Sequence, residues 1–258
     1  MRKEVLKEPT FEKEIAVMIR VSKSMDEMRE QLRAYHDNDI AQSLKYLNRA
    51  ERNLLYSGLD AKWLAEIMSY VDDPAPYIEE IGIDKLAEII NEMEADDAVD
   101  LWEDIDESVK VKLRPMLDDE KTMDILLINS YDEDEIGSLI TTNYIRIKQN
   151  LSIRQAMHEL VQQAGENDNI TTLYVVDDRG RFCGAIDLKD LIVARENVAL
   201  DSLISYAYPY LLDHEKISDS IEKIKDYAED SLPVLNKDKK IIGIITAQDV
   251  VEAVDDEL

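Results

Sequence analysis

Along the first half of the chain, apolar residues recur at helical spacing. Leu44, Leu47, Leu54 and Leu55 form one set, Leu64, Ile67, Met68 and Val71 a second, and Leu86, Ile89, Ile90 and Met93 a third. Residues three and four apart share a helix face, so each set predicts a helix that buries one stripe. Residues 10–130 therefore read as helix throughout, punctuated around Gly58, Pro74, Pro76 and Gly82. Leu64-Ala65-Glu66-Ile67-Met68 returns 22 positions later as Leu86-Ala87-Glu88-Ile89-Ile90. Short helices repeating at such a period stack as a superhelical array; a plain helical bundle is the alternative. Asp60 and Asp84 stand where N-cap residues are expected.

After residue 140 the period changes. Tyr144-Ile145-Arg146-Ile147 alternates as a strand does, and an amphipathic helix follows near Ser152–Ala164. One unit is then written twice. Leu173-Tyr174-Val175-Val176-Asp177 reappears as Leu232-Pro233-Val234-Leu235-Asn236, and Gly184 to Asp190 reappears as Gly243 to Asp249, at a constant offset of 59. A fixed offset without a gap marks an internal duplication. Each copy predicts a buried strand, a polar turn, a second strand led by Gly, and a helix opening near an Asp. Residues 195–216 bridge the copies. The expected fold class is α + α/β: an all-helical, superhelical N-terminal domain (1–130), then two βαβ units in tandem (131–200 and 201–258). The crevice between tandem units is a natural ligand site.

Charge changes the picture of what such a chain binds. The net charge is −27; residues 1–130 carry 31 acids and 17 bases, and residues 131–258 carry 26 and 13. Both halves are acidic, which argues against nucleic-acid phosphates and anionic lipid headgroups and suits divalent cations or a basic protein. One cysteine, Cys183, excludes an internal disulfide framework and fits a reducing compartment. No run approaches the roughly 20 apolar residues of a spanning helix, and the N-terminus lacks the apolar core of a signal peptide. The residues alone thus read as soluble and cytoplasmic. The chain stops inside an expected helix at Val254-Asp255-Asp256-Glu257-Leu258, as a piece of a longer protein would.

The densest candidate chemistry is Glu92–Glu107, where nine of sixteen residues are acidic and none is Lys or Arg. Asp96, Asp100 and Asp104 follow at spacings of four, on one helix face. Like charges so placed cost a helix about 0.2–0.5 kcal/mol per pair, which a hard divalent cation held by carboxylate oxygens would relieve. A solvated acidic face is the competing reading. Asp249, Glu252 and Asp256 share a second face; for Asp249 the competing reading is a carboxylate serving the helix dipole. His36, His158 and His214 are isolated, no phosphate-binding glycine motif occurs, and Trp63 and Trp102 read as core. No catalytic residues emerge, so the chain is expected not to be an enzyme.

The repeated unit resembles the CBS domain, which occurs in pairs. That resemblance implies an adenine-nucleotide site, ATP included, in which the Asp of a Thr/Ser-x-x-Asp element holds the ribose. Thr246 and Asp249 match the element. Asp187 and Asp190 match only its Asp, which makes Asp190 the nucleotide candidate of the first copy by position, with an acidic residue where Ser or Thr is usual.

An acidic helical region leading into a CBS pair is the arrangement of the MgtE family of magnesium transporters. The junction Tyr131-Asp132-Glu133-Asp134-Glu135-Ile136-Gly137-Ser138-Leu139-Ile140-Thr141 is similar to that family's, and Asp190-Leu191-Ile192-Val193-Ala194 also matches. The resemblance implies a Mg²⁺-sensing cytosolic region at the cytoplasmic face of the cell membrane. It would be a homodimer through its CBS domains, joined to a membrane domain of the same polypeptide, and would close the pore when internal Mg²⁺ is high. It implies Mg²⁺ ligands at Glu66, Asp96 and Asp100 on the helical side and at Glu229, Asp249, Glu252 and Glu257 on the CBS side. Lys216 and Ser218 stand near positions where the family often has carboxylates. The rival function is an adenine-nucleotide sensor governing another effector.

Overall fold

The computed structural model describes residues 11–246 and 249, apart from 166 and 228. It comprises two compact units, Met1–Met93 with Asp97–Thr122, and Glu94–Asp96 with Met123–Leu258.

The helical half is broken into short helices rather than long ones. They are α1 (Glu12–Val21), α2 (Met25–Leu32), α3 (Asp37–Ser43), α4 (Arg49–Gly58), α5 (Ala61–Met68), α6 (Ala75–Ile78), α7 (Ile83–Glu92), α8 (Ala95–Glu103), α9 (Glu107–Leu113) and α10 (Asp119–Ile128). Polar caps start several of them by accepting otherwise unpaired first-turn N–H groups. Asp60 accepts from the Trp63 N–H at 2.9 Å. Asn48 and Glu51 form a reciprocal capping box at 3.1 and 2.8 Å. The expected cap at Asp84 is corrected: Gly82 holds the N-cap position of α7, and Asp84 lies in the first turn, where its charge faces the positive helix end.

The echo at 22 positions has a packing basis. Leu64, Ile67 and Met68 of α5 and Leu86, Ile89 and Ile90 of α7 are all buried, and the two helices pack against each other. Ala65 and Ala87 are buried as well, so neither backbone is held off by a large side chain. Leu54 departs from its expected stripe at 45% exposure, because the core-facing positions of α4 are Leu55 and Tyr56. Trp102 is buried, whereas Trp63 is half-buried and donates its ring N–H to Asp37 at 2.6 Å.

The second unit contains two three-stranded sheets. The first is β1 (Ile145–Lys148), β2 (Thr172–Val176) and β3 (Phe182–Asp187), in that order, with α11 (Ile153–Gln163) joining the parallel pair β1 and β2 and α12 (Leu188–Val193) following β3. The second repeats the order as β4 (Leu211–Leu212), β5 (Ser231–Leu235) and β6 (Ile241–Thr246), with α13 (Ile217–Tyr227) as crossover. In both, the last two strands are antiparallel. The expected bridge 195–216 therefore holds a strand, β4, whose two residues are too few to show alternation.

The repeated glycines sit at the third residue of β3 and of β6, not at the lead. Each is met by backbone from the other copy. Ser205 exchanges two hydrogen bonds with Ala185 (2.8 and 3.2 Å), and Thr141 exchanges two with Ile244 (3.0 and 2.9 Å). A Cβ on Gly184 would lie 2.4 Å from the Ser205 carbonyl oxygen, and one on Gly243 would lie 2.7 Å from Ile140 Cβ. Only glycine admits an approach this close.

Candidate metal centre and nucleotide crevice

The acidic stretch lies mainly on α8. Asp96 and Asp100 are one turn apart, Asp96 half-buried and Asp100 exposed. Glu66 is exposed on α5, and its carbonyl accepts from the Ser69 hydroxyl at 2.9 Å. Glu66, Asp96 and Asp100 each also take part in further polar or electrostatic interactions. Among the described residues, no three His, Cys, Asp or Glu side chains group closely enough to hold a metal ion by themselves. The donor type nevertheless fits Mg²⁺, which keeps several waters and is commonly held through one or two carboxylates. One member of the stretch is already committed: Glu94, in the second unit, accepts from Thr141 Oγ1 at 3.0 Å and from Asn143 Nδ2 at 2.8 Å. Nothing in its own sequence position distinguishes it from its solvent-facing neighbours.

Asp249 closes a tight local motif. Its two carboxylate oxygens accept from the Thr246 N–H (2.7 Å) and the Thr246 hydroxyl (2.9 Å), and the Thr246 hydroxyl in turn accepts from the Asp249 N–H (3.4 Å). These hydrogen bonds fix the orientation of the Asp249 carboxylate relative to Thr246. The first copy is built differently. There Asp187 is the N-cap of α12 and accepts from the Lys189 N–H at 2.7 Å, leaving Asp190 exposed in the first turn. Glu229 is exposed after α13. Glu252 and Glu257 lie outside the described residues.

Aromatic residues that sequence reading did not single out fill the middle of the contact between the copies. Tyr174 is fully buried, and its ring meets those of Tyr144 and Tyr208 edge-on at 5.9 and 6.2 Å. The Tyr208 hydroxyl donates to the Ser231 carbonyl at 2.9 Å. Burial first, and then the nearby carboxylates Glu229 and Asp230, push the Tyr208 hydroxyl above its usual range. At the junction, Lys216 Nζ pairs with Asp134 at 2.6 Å and His214 Nδ1 lies 3.1 Å from Glu135. The Lys216 ammonium, raised in pKa by that hydrogen bond, is a fixed cation beside the acidic run 132–135.

Comparison with known proteins accords with this architecture. Residues 35–134 match the MgtE intracellular N domain, and residues 136–197 and 201–256 each match the CBS domain. The magnesium transporter MgtE of Enterococcus faecalis is 29% identical over 96% of this chain and 56% of its own length. The crystal structure of the soluble part of a magnesium transporter superimposes with a TM-score of 0.89 at 28% identity, covering 96% of this chain and 99% of that one. The cytosolic domain of the Mg²⁺ channel MgtE, solved in complex with ATP, gives 0.84 at 25% identity, covering 92% and 99%. The chain spans about half the length of the curated relatives it matches. Among the described residues no helix is long and apolar enough to cross a membrane. With the MgtE N domain followed by two CBS domains in the same order and the same fold, the chain belongs to the MgtE family of magnesium transporters and corresponds to the family's cytosolic region.

Proposed function

We propose that this chain is the Mg²⁺-sensing regulatory region of a magnesium transporter. It works at the cytoplasmic face of the membrane as a non-enzymatic homodimer through its CBS pairs, attached to a membrane domain of the same polypeptide. The observation that carries this reading is Asp96 and Asp100, one turn apart on α8 in a stretch of nine acids without a base. Glu66, Asp96, Asp100, Glu229, Asp249, Glu252 and Glu257 are the proposed ligands. With a net charge of −27 over two acidic halves, Mg²⁺-free chains repel themselves. Cations at defined carboxylates replace repulsion with coordination and bias the chain toward the state that closes the pore. High internal Mg²⁺ would then stop further entry.

ATP is the proposed second ligand, since a relative's cytosolic domain was solved with it. Asp187 in the first copy's element repels phosphate, so adenine-nucleotide binding here is expected to be weak; micromolar affinity lost on Asp190→Ala would favour the nucleotide-sensor reading instead.

The test is protease sensitivity and thermal unfolding against Mg²⁺ concentration, with K⁺ at matched ionic strength as control. A ligand bound only by the native state stabilises by RT ln(1 + [L]/Kd), about 2.7 kcal/mol at 100 times Kd. Asp96→Ala/Asp100→Ala should move the Mg²⁺ midpoint upward several-fold while the metal-free fold persists. An unmoved midpoint, or an equal effect of K⁺ by screening alone, overturns the assignment.

A further inference from the structure

The duplication sets two polar turns side by side. Residues 177–181, Asp-Asp-Arg-Gly-Arg, join β2 to β3, and residues 236–240, Asn-Lys-Asp-Lys-Lys, join β5 to β6. Arg181 pairs with Lys240 in an isolated bridge, and the Phe182 N–H donates to the Lys239 carbonyl at 2.8 Å. The tip so formed carries five bases and three acids in a chain whose overall balance is −27.

Of the three acids, Asp177 is half-buried and tied up locally, while Asp178 and Asp238 are exposed, so the bases outnumber the solvent-facing acids. Asp177 accepts from the N–H groups of Arg179 and Arg181 at 2.8 and 2.9 Å and pairs with the Arg181 guanidinium at 2.6 Å. Asp178 accepts from Asn150 Nδ2 at 3.3 Å. Arg179, Lys237, Lys239 and Lys240 are exposed, and among the described residues none of the four appears in an ion pair. Beside them lie two exposed side chains of amphipathic or apolar type, Tyr210 (43%) and Leu212 (41%). Leu212 is paired with Leu235, next to the second turn, and the Tyr210 ring packs on Phe182 at 6.3 Å, next to the first.

We propose that this tip is a membrane-facing surface that engages anionic lipid headgroups. Basic side chains flanked by an exposed aromatic and an exposed leucine are the chemistry that suits the headgroup boundary, where each Lys or Arg near an anionic surface contributes about 1 kcal/mol. The acidity of the remainder does not forbid it: the Debye length is about 10 Å at 0.1 M salt, so a lipid surface responds to the local patch and not to the sum. The net charge instead makes the contact orientation-selective. The proposal rests on the transporter reading, which brings a bilayer within reach of the cytosolic region.

The experiment is flotation of the whole chain with two vesicle types in EDTA, one of phosphatidylcholine and one with about one-third phosphatidylglycerol. The chain should float with the anionic vesicles only, and less as salt rises from about 50 to about 200 mM. Arg179→Gln/Lys237→Gln/Lys239→Gln should reduce binding about tenfold or more, with unfolding curves confirming an intact fold; Lys62→Gln/Lys85→Gln in the helical half should change nothing. Absent flotation of the wild-type chain, equal flotation with both vesicles, or an unchanged triple variant overturns the proposal. Salt-sensitive self-association without flotation would assign the tip to an acidic protein surface instead. Because Mg²⁺ is chelated throughout, failure here leaves the Mg²⁺ titration untouched, and failure of that titration leaves this result standing.

Discussion

The Tyr174 hydroxyl lies 2.7 Å from the Ser231 hydroxyl, a fully buried hydrogen bond between residues 57 positions apart that joins β2 of the first CBS copy to β5 of the second. Burial pushes the Tyr174 phenol far above its usual range, so it stays neutral and polar at a dry contact. Tyr174→Phe keeps the ring and strands the serine hydroxyl. It should cost about 1–3 kcal/mol, measured by denaturant unfolding. Ser231→Ala should cost a similar amount, and the double variant less than the sum, because each single change leaves its partner unsatisfied.

Gly184→Ala places a methyl 2.4 Å from a backbone carbonyl that two hydrogen bonds hold in place. Relief requires separating the Ser205 segment from β3, so about 2–4 kcal/mol of stability should be lost in thermal unfolding. Gly243→Ala meets Ile140 Cβ at 2.7 Å and the Thr141 carbonyl at 2.9 Å, and should lose less, since its nearest contact is longer than the 2.4 Å at Gly184 and needs a smaller displacement.

At one equivalent position the two repeated turns share a left-handed backbone but carry different residues. Gly180 has φ of 75° and Lys239 has φ of 62°. A left-handed conformation costs a non-glycine residue about 1–2 kcal/mol, against roughly 0.5–1 kcal/mol for the greater freedom of unfolded glycine. Lys239→Gly should therefore stabilise the chain by about 0.5 kcal/mol, while Gly180→Lys should destabilise it. Equal and opposite denaturation midpoints are not required; the signs are.

In the helical unit, Arg52 donates from Nε and Nη2 to the two Glu80 oxygens, both at 2.7 Å, with little exposure of either side chain. It also reaches the Leu44 carbonyl at 3.2 Å and the Leu47 carbonyl. The Arg52 hydrogen bonds hold the Glu80 carboxyl below its ordinary value of 4.5, against a smaller opposing effect of burial. A carboxyl depressed in the folded state contributes stability above its unfolded pKa and loses it as pH falls through the folded one. Glu80→Gln should cost about 1–3 kcal/mol at neutral pH, and the gap from wild type should narrow below pH 4.5. A gap that stays constant on acidification would show that packing rather than charge accounts for the loss.

Local periodicity determined a good deal by itself. The apolar stripes at Leu64–Met68 and Leu86–Ile90 gave helices that pack on each other, because one helix face is written in residues three and four apart. The offset of 59 fixed two copies with one strand order, and the run from Tyr131 to Thr141 carried the family resemblance. The tertiary structure decided what no short window records. Pairing of Ser205 with Ala185 and of Thr141 with Ile244 is made by backbone groups, which leave no side-chain pattern except the glycines that admit them. Glu94 looks like every other acid of its stretch until Thr141 and Asn143 arrive from about fifty positions away. Charge shows the same division. Composition summed to −27 and argued against anionic surfaces, but summation discards position. Only folding sets the turn at 177–181 beside the turn at 236–240 and turns scattered bases into one basic tip, since electrostatic potential depends on distance in space and not along the chain.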